Sequence, residues 1–362
     1  EAAGVAGLVQ PGDSINIIEN ITVTSEVVVN KSITINGNGL TVTVPIPGAT
    51  DAGANETAPS TFRVFRVSAG SVTFTNMTVK GGNIQGAGFQ VANAAAANLS
   101  GVVVSNGRNS GGGGGGIHNL GSTYLDRSSV SRNSARYGGG FLNQGTMYSD
   151  GSSLSENRSE STGGGGGAGE NGPSGVLNVN NSTLSNNQST EIGGAINNYQ
   201  GKLRVLNTSF TGNVAYGSYA GGAIGNNNGR VDIANSAFAY NFRRTTGNVG
   251  NPTGYVLDDV GANGQFVSGA GVSLSYSTYQ SALPSAVTAG RGNQQYVETS
   301  ATPGTTGTNG AVPNVPAYFA GGVASPINNP LTGAPMGAAV YRPFLVRGTA
   351  TYSGVTSPAL AV

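Results

Sequence analysis

Residues 193–213 read GGAINNYQGKLRVLNTSFTGN, and residues 221–241 read GGAIGNNNGRVDIANSAFAYN. The two stretches align without a gap. Each opens on Gly-Gly-Ala-Ile, alternates through its middle and closes on Phe-x-x-Asn, at Phe210 to Asn213 and Phe238 to Asn241. Self-similarity of this kind marks a repeat architecture, in which each unit buries its apolar face only by stacking on its neighbours. Towards the N-terminus the pattern continues. Gly-Gly pairs recur at Gly166-Gly167, Gly139-Gly140 and Gly115-Gly116, each followed by a closing segment ending at Asn187, Asn157 and Asn133. Successive closing asparagines stand 24, 30, 26 and 28 residues apart.

Counting back from each asparagine exposes the side-chain logic. Three residues back lie Val130, Leu154, Leu184, Phe210 and Phe238, assigned to the core. Eight back lie Leu125, Ser149, Val179, Val205 and Ile233; ten back lie Thr123, Met147, Leu177, Leu203 and Val231. A separation of two points side chains to one face of a strand. Ser149 and Thr123 fit least well, so the early coils are expected to be looser. Six back, Asn181, Asn207 and Asn235 form a second asparagine column.

Strands stacked about 4.8 Å apart would turn each column into a ladder of like side chains. Asparagine suits a ladder because one amide donates to the next, and it tolerates a left-handed turn backbone. The glycines are expected to supply positive φ or close backbone approach at another corner. The runs Gly111 to Gly116 and Gly163 to Gly167 read as flexible corner loops. Charges fit the same register: Arg132 precedes Glu156 by one coil, and Arg204 precedes Asp232.

Upstream, Asp13 to Ile17, Ile21 to Val23, Val27 to Val29, Ser32 to Ile35 and Leu40 to Val44 are short strands, with Asn36-Gly37-Asn38-Gly39 as a turn. Residues 61–79 alternate again, 96–106 read as an irregular coil, and 45–60, with Pro45, Pro47 and Pro59, read as an excursion. Past Asn241 the pattern changes, with ten of the fifteen prolines following residue 250. The expectation is a right-handed, single-stranded parallel β-helix over residues 1–245, all-β in class. Residues 246–362 would form a C-terminal extension with short strands at 271–276 and 340–352, acting as a cap or an inter-subunit contact.

Composition narrows the function. Only 9% of residues are charged and the net charge is +1, so no field of one sign exists to draw nucleic acid. With no cysteine, disulfides and thiolate metal sites are excluded. No apolar run approaches the roughly 18 residues of a membrane span.

The last two coils resemble the chlamydial polymorphic outer-membrane-protein repeats, which carry Gly-Gly-Ala-Ile and Phe-x-x-Asn. The opening, with Gly12-Asp13 and the segment Lys31 to Ile35, is similar to the first coil of bacterial surface β-helix proteins. The resemblance covers residues 9–241 and implies a secreted or surface-exposed chain acting in adhesion or assembly. The expected partners are therefore other copies of the chain, end to end or through the C-terminal extension, and surface glycans or host cells.

Candidate chemistry is sparse. Asp126 falls over Asp150 with Asn180 in the next coil, a constellation able to hold Ca²⁺ or share a proton, although a solvated pair on a turn beside Arg127 is the preferred reading. Asp258-Asp259 read as loop acids. His118, the only histidine, reads as an exposed structural residue. No catalytic, cofactor or metal residues are assigned. The expectation is a structural protein that self-associates as a filament or lattice subunit, or serves as an adhesin; the alternative is a carbohydrate-binding or polysaccharide-degrading β-helix.

Overall fold

The computed structural model describes residues 9–44, 62–160, 165–217 and 221–248. Beyond these it describes the short strands Asn251–Leu257, Val260–Ala262, Val272–Ser275, Thr278–Tyr279, Val287–Ala289, Gln294–Gln295, Ile327–Asn328 and Pro335–Met336. The expected excursion at 45–60, the strand at 340–352 and Asp258-Asp259 lie outside the described residues. All regular structure among the described residues is β, and none of it is a helix long and apolar enough to cross a membrane.

A single coil shows the path. Ala96–Ser100 lies in a first sheet, Val103–Ser105 in a second, Arg108–Gly113 in a third and Ile117–Asn119 in a fourth. Ser122–Asp126 then pairs in parallel with Ala96–Ser100 and begins the next coil. Repetition builds sheets of 11, 11, 7 and 9 strands among the described residues, a parallel β-solenoid. The segment at 96–106 is a regular coil, in register with its neighbours on both sides. The third sheet ends in an antiparallel pair, Phe242–Asn248 with Asn251–Leu257. The first sheet runs on through Val272–Ser275 and Val287–Ala289.

The inward columns stack as the count from the closing asparagines places them. Val130, Leu154, Leu184, Phe210 and Phe238 are mutual neighbours across the second sheet, and the Phe210 and Phe238 rings stack with centroids 4.8 Å apart. Phe65, Phe74 and Phe89 form a second aromatic cluster at 4.9 to 5.3 Å. Burying each such side chain contributes about 1.5–3 kcal/mol. The two polar members are buried too, and their hydroxyls are satisfied: Thr123 Oγ1 donates to Asn119 Oδ1 at 3.0 Å, and Ser149 Oγ lies 3.1 Å from Ser182 Oγ.

The closing asparagines form a buried amide ladder. Nδ2 of Asn133, Asn157, Asn187 and Asn213 each donates to Oδ1 of the next, at 3.0, 3.1, 3.0 and 2.9 Å. The left-handed backbone expected of these residues sits elsewhere. It falls one residue earlier, at Arg132, Glu156, Asn186, Gly212 and Tyr240, and six residues earlier, at Arg127, Gly151, Asn181, Asn207 and Asn235. Ladder and turn are thus separate positions, because a side chain fully committed inward cannot also occupy the corner that bends the chain.

A further ladder escaped the sequence reading. Asn119, Asn143, Asn171, Asn198 and Asn226 are all buried, and each of the first four donates its amide to the next at 2.7 to 2.9 Å. Each lies five residues after a positive-φ glycine: Gly114, Gly138, Gly166, Gly193 or Gly221. That offset was readable once the corner is aligned on this glycine, which shifts the Gly-Gly pairs of the two early coils by one position. The corner itself is not the flexible loop expected. Gly115 and Gly116 donate to Gly139 and Gly140 carbonyls at 3.0 and 2.9 Å. A Cβ on Gly115 or Gly194 would lie 2.4 or 2.0 Å from the facing carbonyl oxygen, so backbone approaches backbone too closely for any side chain.

Candidate functional site

The outward face of the first sheet carries the stacked acids. Asp126, Asp150 and Asn180 are direct neighbours in consecutive coils. Asp126 Oδ2 accepts from Arg127 Nη2 at 2.7 Å and from Ser100 Oγ at 2.8 Å. The Arg127 guanidinium, and then the serine, hold its carboxyl below the usual range. Asp150 Oδ1 accepts from the amides of Asn180 and Asn181, both at 3.0 Å. Each acid is the last residue of its strand, and the positive-φ residue that follows it is Arg127 or Gly151. Among the described residues, no three His, Cys, Asp or Glu side chains gather as a metal-holding group.

Two residues before each acid stand Tyr124 and Tyr148, neighbours in register with ring centroids 6.1 Å apart and tilted by 48°. They are 38% and 45% exposed. Burial of its hydroxyl, and then Asp150 and Asp126, raise the Tyr124 pKa. Both tyrosines lie nine residues before a closing asparagine, in the column that also contains Arg204 and Asp232, so the same count could have found them. Arg204 does face Asp232 in register, while the Asp232 carboxylate takes Arg230 at 2.9 Å. Arg132 and Glu156 approach to 3.9 Å across adjacent coils.

His118 is buried, not exposed. The outward row of the fourth sheet, which includes Gln90, His118, Leu142, Glu170 and Asn197, is roofed by the preceding corner, where Gly86 sits over His118 and Gly113 over Leu142. Glycine lets that backbone close down on the row. The imidazole is clamped between Gln144 Oε1 at 3.0 Å and the Gln90 and Gln85 amides at 3.4 Å. Burial lowers its pKa, so it is neutral near pH 7. Through Gln90 and Arg63, the latter 2.9 Å from Glu26, it belongs to a polar chain running along the axis. Two coils further, Glu170 is mostly buried. Its carboxyl accepts from Asn197 Nδ2 at 3.1 Å and from the Gly165 amide, and burial pushes its pKa up to about 7. Nothing in the local sequence signals this acid, because its burial comes from the roof and not from its own strand.

The N-terminal end is the other distinctive surface. Ser14–Asn16, Ile21–Thr22 and Val27–Val29 each pair on one side only among the described residues. Ile15 heads the inward column Ile35, Phe74 and Leu99, and Ile21 heads Val42, Val79 and Val104. Both are partly exposed, and Ile18 beside them is 88% exposed. Asn36 Nδ2 donates to Asn16 Oδ1 at 2.9 Å, continuing a short ladder from Thr75 to the end of the stack.

No protein-family model, no curated protein and no solved structure matches the chain.

Proposed function

We propose that the protein is an extracellular structural β-helix, a cell-surface or matrix rod that self-associates end to end. One observation carries the reading: among the described residues, two hydrophobic columns of the core end at Ile15 and Ile21, both partly open to solvent. Unpaired strand edges template further pairing, and an apolar core cut across its end gains from being covered. The occupant that fits both is another coil of the same kind, supplied by a second copy. The likeness of 193–241 to polymorphic outer-membrane-protein repeats supports a surface location.

Sedimentation velocity and negative-stain electron microscopy of the purified chain over a range of concentrations test this. The expected result is concentration-dependent linear multimers, reduced to single rods by Asn16→Asp with Ile18→Lys. Both substitutions fall on exposed side chains, so the thermal transition should stay in place. A wild-type chain that remains monomeric throughout would sink the proposal.

A further inference from the structure

We infer that the outward face of the first sheet, at the two coils carrying Tyr124 and Tyr148, binds a neutral glycan chain lying along the solenoid axis. The inference is independent of end-to-end assembly, since the face lies on the flank of the rod.

The fold does not ask for these tyrosines. In the same column the neighbouring coils place Asn98 before them and Asn178 and Arg204 after them, so a small or polar side chain satisfies the sheet equally well. Two aromatic rings nonetheless stand exposed in adjacent coils, spaced 6.1 Å. An exposed aromatic offers a flat apolar surface with a polar edge, the chemistry that matches the C–H face of a pyranose ring. Around the rings the side chains are hydroxyls, amides and carboxylates: Ser122, Thr146, Asn178 and Asp150. Sugar hydroxyls need such partners, held in fixed directions.

The acids are held in that way. Asp150 is fixed through Oδ1 by two amide donors, which leaves Oδ2 to accept from a sugar hydroxyl. Hydrogen bonds to an ionised acceptor are the stronger kind. Asp126 is fixed by Ser100 in the preceding coil and by the adjacent Arg127. Two carboxylates against the single guanidinium of Arg127 leave the face negative, which disfavours a uronic-acid chain or a nucleic acid and selects an uncharged ligand. A protein partner fits less well, because the centre of a protein interface is apolar and fully desolvated, whereas the outward residues that flank these two rings on their strands and in the adjoining coils are Ser122, Thr146, Asp126, Asp150, Asn98 and Asn178. The direction follows from the columns. Asn98, Tyr124, Tyr148 and Asn178 lie in line along the axis, about 4.8 Å per coil, close to the repeat of an extended β-linked glycan.

Titration calorimetry with cellohexaose, chitohexaose and polygalacturonate tests the inference. A neutral hexasaccharide should bind, and polygalacturonate should bind at least tenfold more weakly. Tyr124→Ala, Tyr148→Ala and Asp150→Asn should each weaken binding at least tenfold with the circular dichroism spectrum unchanged. Tyr199→Ala, an exposed tyrosine at a different sheet, should leave it unaltered. No binding of either neutral oligosaccharide, binding unaffected by the tyrosine substitutions, or a protein captured through this face in place of a glycan would overturn it.

Discussion

Removing one rung from the middle of the closing-asparagine ladder should cost several kcal/mol. Asn187 is completely buried. Its Oδ1 accepts from the Asn157 amide N–H at 3.0 Å and from Asn157 Nδ2 at 3.1 Å, and its Nδ2 donates to Leu154 O at 2.9 Å and Asn213 Oδ1 at 3.0 Å. Asn187→Ala strips the acceptor from two buried donors of Asn157. At about 1–3 kcal/mol for each group left unsatisfied, the loss is about 2–6 kcal/mol. Asn187→Asp has the same shape but sets an oxygen where Nδ2 faced two other oxygens. It should therefore cost more than alanine at pH 7 and recover partly in acid, where the carboxyl can donate. The first rung is a control. Asn133 Oδ1 serves only the Gly107 amide, at 2.9 Å, so Asn133→Ala leaves a single orphan donor and should cost about half as much. Urea denaturation followed by circular dichroism gives the ranking, and hydrogen exchange at the Asn157 amide gives the local effect. If Asn187→Ala fell within about 0.5 kcal/mol of wild type, or if Asp and Ala were equivalent, amide-to-amide bonding would not be what holds these coils together.

Other consequences follow from the same columns. Arg132→Glu should destabilise the chain by about 0.2–1 kcal/mol, an effect partly reversed by Glu156→Arg and screened by salt, because both side chains are half exposed; a double-mutant cycle with no coupling would rule the pair out. Glu170 should make stability fall as pH rises. Unfolded, the carboxyl loses its proton near its ordinary value of 4.5; folded, it keeps the proton to about 7, so between these limits the unfolded state is progressively favoured, by about 3–4 kcal/mol in total. Glu170→Gln should flatten this slope and be the more stable form at pH 8, and an unchanged pH profile would refute the assignment. Gly194→Ala places a Cβ 2.0 Å from Gly222 O and should abolish folding of the central coils. Gly39→Ala, at φ +80° with open space around it, should cost only about 1–2 kcal/mol in thermal melts.

The inward half of each coil was legible because the solenoid writes it many times over. A column such as Val130, Leu154, Leu184, Phe210 and Phe238 repeats one physical demand, and a residue that met it by accident would stand out against its neighbours. The outward half was not legible in the same way. His118 and Glu170 occupy strand positions that alternate outward, so the local pattern makes them exposed. They are buried because the preceding corner folds over them, a contact between elements that sequence periodicity does not encode. The glycine corner misled for a related reason. Gly114 to Gly116 look like a linker when flexibility is read from composition, yet the glycines are required where the backbones of adjacent coils touch. The stacked acids are legible by counting because like charges in one column are unusual, whereas Tyr124 and Tyr148 in the same register are not, because a tyrosine on a strand reads equally as core or as surface.

The direction of the stack bears on how copies could join. Every described pair in the first, second and fourth sheets is parallel. A coil added at the N-terminal face that preserves this sense must come from the far end of another molecule. Such a contact uses two different surfaces and does not close on itself, so it propagates. Two N-terminal faces meeting each other would instead set their edge strands antiparallel and stop at a dimer. The Thr75, Asn36 and Asn16 ladder favours the first arrangement. Thr75 and Asn36 each donate towards the N-terminal face, and Asn16 receives the last of these bonds through Oδ1, so a further acceptor in the same column would continue the series from its Nδ2. An open series of oligomer sizes in sedimentation therefore points to head-to-tail stacking, and a single dimer that persists at every concentration to the isologous pair.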